Sequence, residues 1–233
     1  KVCVAEQEDE LREGAKLLER VVTRVYTPGS LYEESLIGTD EVVGLAAICV
    51  KSDGVGIAIL DASTGHVWTM EHHGDERWDR LLDDLLRSSP REIIFSPRDA
   101  DRDEVRRVIS QLDGVTLSQH SSSKRKGQDA LKNILEVADL GHIDLDDSPL
   151  AMDAAGLAAD YLAAMHIVDT VDVREVEIMR PEGNMVLDQT TLRNLELTQT
   201  LAGEKEGSLL GAIDSCRTSM GRRMLKQWLL RPL

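Results

Sequence analysis

Strand-like patterns open the chain, where β-branched and apolar residues gather in short runs. Residues 1–6 (KVCVAE) and residues 20–27 (RVVTRVYT) each predict a short strand. The sequence Pro-Gly-Ser at 28–30 then predicts a turn. A piece this small cannot bury a core of its own, so we interpret residues 1–38 as the end of a preceding domain.

Residues 39–167 carry the pattern of a larger unit with a mixed sheet. Three apolar runs separated by short turns predict an antiparallel meander of strands at 42–50, 55–61 and 66–71. Helix and strand periods then alternate: a helix with an apolar face from Trp78 to Leu86, a strand at 92–95, a helix from Val105 to Leu112, and a strand at 115–117. Asp75 is expected to cap the first helix, and Asp101 with Glu104 the second. This order predicts an α/β fold with flanking helices, similar to the RNase H-like architecture.

The remainder of the chain is predicted to be mainly helical. Residues 121–127 (SSSKRKG) are interpreted as a loop, followed by helices at 128–139 and 149–166, the second with Ser148 as its N-cap. Residues 168–184 show no sustained period and contain Pro-Glu-Gly, so they are interpreted as a linker.

From residue 185 to residue 233 the pattern predicts the start of an all-α core domain. Its last helix has one apolar face, made of Met220, Met224, Leu225, Trp228 and Leu229. We expect this face to pack against helices that follow the present chain, and to be open to water without them.

Composition excludes some classes of function. No apolar run approaches the roughly 18 residues that a membrane span needs, so no membrane association is expected. The net charge of −15 disfavours tight binding to nucleic acid. Aspartate is abundant and lysine is scarce, which predicts a protein that stays soluble in high salt, as in a halophile, although an ordinary acidic domain has the same signature.

The three cysteines, Cys3, Cys49 and Cys216, are far apart and form no CxxC pair. An odd number of separated cysteines argues against a disulfide framework or a zinc site. We therefore expect three buried thiols in a reducing cytoplasm.

Motifs for chemistry are missing from the sequence. It contains no Walker A loop, no GxGxxG and no GxSxG. His72 and His73 are adjacent, so on a strand they point to opposite faces and are interpreted as a surface pair. The acidic stretch from His142 to Asp147 lacks the glycine and glutamate of an EF-hand and is interpreted as a lead-in to the helix cap at Ser148. We predict no catalytic, cofactor-binding or metal-binding residue.

Two basic clusters are the remaining candidates for contacts with phosphates or with an acidic partner. One is Lys124, Arg125 and Lys126, which a solvated loop tip would equally explain. The other is Arg222, Arg223 and Lys226, which are also expected to flank a helix packed through Met224 and Trp228.

Residues 185–233 (MVLDQTTLRNLELTQTLAGEKEGSLLGAIDSCRTSMGRRMLKQWLLRPL) resemble the start of the core domain of the MutS family of DNA mismatch-recognition proteins. The matching blocks are Leu187-Asp188, Thr191, Arg193 to Leu197, Gly207 to Leu210, Asp214, Thr218, Met220-Gly221, Trp228-Leu229 and Pro232-Leu233. The first strands and the turn at 28–30 resemble the end of the family's mismatch-binding domain. The span between resembles the family's connector domain, which is RNase H-like and non-catalytic.

The resemblance implies that this chain is a middle segment that links the mismatch-binding module to the core, relays the ATP state and contacts MutL. The Phe-x-Glu motif that reads mismatches in the family is absent, since the only phenylalanine is Phe95 and residue 97 is proline. The ATPase and dimerisation domain, with its ATP and magnesium, is absent too. Mismatched duplex DNA and a second copy are therefore implied as partners of a longer protein.

Two rival functions follow from the same residues. A MutS paralogue that acts in recombination would have the same connector without mismatch preference. A metal-dependent nuclease on an RNase H-like fold would need a carboxylate within the first strand, and residues 42–50 contain none.

Overall fold

A computed structural model describes residues 1–7, 18, 20–30, 44–61, 64–141, 143, 147–165, 173, 175–179, 185, 187, 189–230 and 232. The strands are β1 (Val2–Gln7), β2 (Arg20–Tyr26), β3 (Gly44–Val50), β4 (Gly54–Asp61), β5 (His66–His73), β6 (Glu92–Phe95), β7 (Thr116–Gln119) and β8 (Glu175–Ile178). The helices are α1 (Arg77–Ser88), α2 (Asp103–Ile109), α3 (Lys124–Ile134), α4 (Pro149–Ala164), α5 (Gln189–Asn194), α6 (Leu209–Ile213) and α7 (Ser219–Leu230).

The strands form two sheets. β1 and β2 pair as a separate antiparallel ribbon, and the other six have the order β7-β6-β3-β4-β5-β8. β3, β4 and β5 are the predicted antiparallel meander, while β6, β7 and β8 join by parallel pairing. The predicted α/β fold with a mixed sheet and flanking helices is therefore confirmed.

The core has two layers because β3, β4 and β6 are covered on both faces. Alternate residues of β3 divide between them: Leu45 and Ala47 pack with α3 and α4, whereas Ala46 and Ile48 pack with α1 and the region around α2. Strands buried on both sides need continuous apolar runs, which β3 and β4 supply.

Several predicted helix caps differ from those in the structure. Glu76, not Asp75, precedes α1, and Arg102 precedes α2 in place of the predicted cap at Asp101; neither residue caps through its side chain. Asp101 instead pairs with Arg106 at 2.9 Å. Ser148 does precede α4, but its hydroxyl makes no capping bond. The carboxylate of Glu71 takes that role.

Two predicted irregular segments contain regular structure. Helix α3 begins at Lys124, with the Ser123 hydroxyl accepting from the Lys126 amide, so residues 124–126 are a first helical turn and not a loop tip. Within the predicted linker, β8 (Glu175–Ile178) pairs in parallel with β5 as an edge strand. A four-residue strand is too short to show a period in the sequence.

Other predictions fail at single residues. His72 is buried and only His73 is exposed, so they are not a surface pair. Cys3 is exposed and Cys49 and Cys216 are half-buried, although all three are free thiols. His142, Asp144 and Asp146 lie outside the described residues. In the described part of the chain, no helix has the length and apolar character needed to cross a bilayer.

Candidate functional site

The carboxyl ends of β3 and β6 are the place where an open α/β sheet usually binds its ligand, because the connections leave these parallel neighbours in opposite directions. Lys51 directly follows β3 and bonds Asp153 of α4, with 2.8 Å between Nζ and Oδ2. Lys51 thus offsets the charge of Asp153 at this edge of the sheet. Among the described residues, no three histidine, cysteine or acidic side chains are grouped for a metal ion.

Cys49 lies beside this pair and is expected to be an unreactive thiol. Burial, reinforced by the charges of Asp153 and Asp99, raises its pKa to about 12. Thiolate is the species that reacts, so at pH 8 iodoacetamide should label exposed Cys3 at least about tenfold faster than Cys49. Mass spectrometry of the alkylated chain measures both rates, and in denaturant the two rates should converge. Equal labelling of both thiols in the folded chain would contradict this prediction.

A buried carboxylate at Glu92 joins the turn after β2 to the six-stranded sheet. Glu92 is 0% exposed. Its Oε2 accepts from the Thr27 hydroxyl and from the Gly29 amide, the latter at 3.1 Å. Its Oε1 accepts from the Ser118 hydroxyl at 2.5 Å and from the Tyr161 hydroxyl at 2.7 Å. Thus one side chain holds three parts of the molecule: the turn at 27–30, β7 and α4.

The turn at 27–30 fits closely into this place. A Cβ at Gly29 would lie 2.7 Å from the Cβ of Glu92, so no side chain can be accommodated there. A backbone bond of 3.1 Å from the Val25 amide to the Met165 carbonyl fixes β2 to the end of α4. Burial, and then the bond to Glu92, raises the pKa of Tyr161, which keeps its hydroxyl a donor.

A second buried carboxylate, Asp84 of α1, lies on the other face of the sheet. Its Oδ2 is 2.6 Å from His72 Nε2 of β5, and its Oδ1 is 3.8 Å from Arg87 Nη1. The Nη2 of Arg87 donates to the carbonyl of Leu187 at 2.7 Å. This series of contacts connects β5, through α1, to the segment that precedes α5.

Helix α7 also lies close to the end of α1. A small cavity of about 40 Å³ separates them, with Trp68, Arg87 and Lys226 among its lining residues. The described residues therefore form two attachment points. The Glu92 joint holds the turn that follows the N-terminal ribbon, and the Arg87 joint holds the segment that precedes α5.

Two family models match the chain. The model described as MutS domain II matches residues 43–168, and the model described as MutS domain III matches residues 190–233. The chain belongs to the MutS family. Both domains occur in the order that the resemblance implied.

Curated relatives are similar to the whole chain. Proteins named DNA mismatch repair protein MutS are 35% identical in Symbiobacterium thermophilum, 32% in Anaeromyxobacter dehalogenans and 33% in Myxococcus xanthus, each over 100% of this chain. The chain spans about a quarter of the length of these relatives, at 27%, 26% and 26%.

The domain matches show which domains the two joints connect. Glu92, Tyr161, Asp84 and Arg87 all fall within the MutS domain II match, whereas the turn at 27–30 precedes it. Leu187 lies between the domain II and domain III matches. Domain II is thus attached by buried charged groups to the segment on either side of it.

The first predicted basic cluster is exposed on α3, the first helix after β7. Lys124, Arg125 and Lys126 all face solvent, and Arg125 makes a long contact of 3.8 Å with Asp129. These three residues can reach a partner, because a contact of this length at an exposed surface compensates little of their charge.

The second predicted cluster is oriented differently from the prediction. Arg223 is 2% exposed, and the Nε of Arg222 is 2.7 Å from Asp214. The helix does not pack through Met224 and Trp228, which are 46% and 67% exposed. The apolar face predicted for α7 is open at Met220, Met224 and Trp228, whereas Leu225 and Leu229 are half-buried. Of the basic residues, Arg223 turns inward, and Arg222 and Lys226 are half-buried.

Sequence reasoning missed Glu92 and Asp84 as structural centres. Each had a weak signal. Glu92 opens the otherwise apolar strand EIIF, and Asp84 lies three residues after Leu81 on the buried face of α1. An acid inside an apolar pattern indicates a buried polar contact, although it does not identify the partner.

Proposed function

We propose that this chain is the middle segment of a DNA mismatch recognition protein and that it carries no chemistry of its own. Domain II would be the connector between a mismatch-binding module, which ends in β1 and β2, and the core that begins with domain III. The relatives' name, DNA mismatch repair protein MutS, and the two buried joints on one sheet support this proposal. A sheet held on both sides by buried charged groups offers a continuous series of contacts through which a displacement at one side can reach the other.

The partners of the proposed longer protein follow from the family. They are mismatched duplex DNA, MutL, and a second copy that dimerises through a region outside this chain, with ATP and magnesium bound in that region as well. The connector would relay the ATP state and contribute to the MutL contact in the cytoplasm. The relatives' name favours mismatch repair over recombination, and the missing acid in β3 disfavours a nuclease.

The relay can be tested by weakening the Arg87 joint in the longer protein. Arg87→Met should keep mismatch binding and basal ATP hydrolysis but lower the effect of a mismatch on ATP turnover by about fivefold or more. Arg80→Met is the matched control, because Arg80 lies on the same helix and pairs with Glu76 at the surface. An unchanged mismatch effect in Arg87→Met would refute the relay through this joint.

The 233-residue chain alone should bind duplex DNA weakly and without preference for a G·T mismatch. Its net charge repels phosphates, and Phe95 is only 4% exposed, so it cannot act as a wedge between bases. Fluorescence anisotropy with a G·T duplex and its matched control measures this at several salt concentrations. Tighter binding to the mismatch would contradict the prediction.

The MutL contact can be tested with the same chain on a biosensor surface. The double substitution Lys124→Glu and Arg125→Glu reverses the exposed charge of α3. Arg106→Glu and Arg107→Glu make an equal charge change on α2. If α3 faces MutL, only the first pair should weaken binding, whereas equal loss in both would indicate a general charge effect.

A further inference from the structure

We infer that Glu92 is the positioning residue that couples the turn at 27–30 to helix α4, so that the N-terminal ribbon and the sheet move together. The inference deepens the proposed connector function and rests on it for its biological meaning. The physical coupling itself concerns only the 233-residue chain.

Each oxygen of the Glu92 carboxylate serves a different part of the protein. Oε2 holds the turn through Thr27 and Gly29, and Oε1 holds β7 and α4 through Ser118 and Tyr161. A carboxylate has about four lone-pair directions, and four donors fill them. The two sides therefore share one charged group.

Sharing makes the two sides interdependent. A fully buried carboxylate is strongly unfavourable unless its hydrogen bonds are complete. If the turn leaves, Oε2 loses both donors, and the side chain must then gain water or rotate away from Tyr161. Conversely, if the hydrogen bond from Tyr161 is lost, the Glu92 side chain is less well fixed in the position in which it accepts from Thr27. The joint is thus expected to be docked or open as a unit.

Helix α4 is the element that carries this coupling across the sheet. Near its end it contacts Glu92 through Tyr161 and the ribbon through the Met165 carbonyl. At its start, Glu71 of β5 accepts from the Leu150 and Ala151 amides at 2.7 and 3.1 Å. A carboxylate from the sheet therefore holds α4 near each end, and a displacement of the turn at 27–30 reaches β5 through the whole helix.

The test measures opening of the joint by amide hydrogen exchange at Val25. This amide bonds the Met165 carbonyl and is not a partner of Glu92. Thr27→Val and Tyr161→Phe should each lower its protection about tenfold or more, as expected for a lost hydrogen bond to a charged group. In a Glu92→Gln background, which is itself less protected, either substitution should add less than about twofold.

Two controls separate coupling from a general loss of stability. Thr27→Ser keeps the hydroxyl and should retain the protection of Val25. Thr69→Val removes another buried hydroxyl of the sheet, which bonds the Glu177 carbonyl at 3.2 Å, and should leave Val25 protection unchanged.

The inference is overturned if Tyr161→Phe lowers Val25 protection equally in the unsubstituted chain and in the Glu92→Gln background, or does not lower it at all. Should Glu92→Gln fail to fold, the double variant of Thr27→Val and Tyr161→Phe decides instead. Coupling through one carboxylate predicts a combined loss that differs at least about threefold from the product of the single losses, while a simple product refutes it. Neither DNA nor ATP enters the measurement, so its failure is distinguishable from failure of the relay tested at Arg87.

Discussion

Replacing Gly56 with alanine is expected to destabilise the chain severely. Gly56 lies near the start of β4, where the first turn of α4 crosses it. A Cβ at this position would lie 2.1 Å from the carbonyl oxygen and 2.3 Å from the carbonyl carbon of Leu150. These are backbone atoms and cannot rotate away, so α4 would have to move off the sheet.

The cost should reach about 3 kcal/mol or more in the free energy of unfolding, as for severe overpacking of a core. Chemical denaturation followed by circular dichroism measures it. Gly44→Ala in the adjacent strand β3 is the matched control, because its Cβ would meet no atom nearer than 3.4 Å. Since alanine suits a strand better than glycine, the control should be neutral or slightly stabilising. Similar stability of the two variants would contradict this account of how α4 contacts the sheet.

The central strands could be predicted because their environment imposes a simple pattern. β3 and β4 are covered on both faces, and this demands the continuous apolar runs that the sequence displays. The short turn at 51–53 then requires antiparallel pairing. Local pattern and tertiary environment agree here, so the sequence was sufficient.

Helix ends were predicted less well because distant residues decide them. The start of α4 is capped by Glu71, which lies 79 residues from Leu150 in the sequence. At α1 and α2, tertiary packing sets the path of the chain, so the local capping signals Asp75 and Asp101 do not occupy the N-cap positions. β8 was missed for the same reason, since its pairing with β5 depends on a distant neighbour, as in the Thr69 to Glu177 bond between residues 108 positions apart.

The contacts of the two joints could not be predicted from the sequence. Glu92 and Asp84 could be recognised as unusual acids in apolar surroundings, but their partners come from four separate elements. The exposure of Met224 and Trp228 on α7 agrees with the expected open face, but the burial of Arg223 was not expected. An apolar stripe and a basic stripe on one helix are equally consistent with either face turned inward. The pattern of apolar and basic residues on the helix does not identify the surface against which the helix packs.

Replacing Asp84 with alanine should be the most destabilising change at a charged position of α1. Asp84 is 6% exposed and is the carboxylate between His72 and Arg87. Its removal leaves a histidine that is 8% exposed and an arginine side chain that is 13% exposed without their acid. Breaking a buried pair by deleting one partner costs about 3 kcal/mol or more, because the remaining polar groups stay in an apolar layer.

Asp79→Ala is the matched control on the same helix, since Asp79 is exposed in its first turn and contributes a favourable interaction with the helix dipole, worth about 0.5 kcal/mol. Urea denaturation of both variants gives their free energies of unfolding.

Hydrogen exchange over residues 187–195 provides a second, independent readout. Arg87 is positioned by Asp84 and donates to the Leu187 carbonyl, so Asp84→Ala should also increase exchange in this segment, at the start of the domain III match. A loss of stability without faster exchange there would mean that Asp84 supports the sheet but not the attachment of domain III, whereas equal stability of the two variants would refute the buried pair altogether.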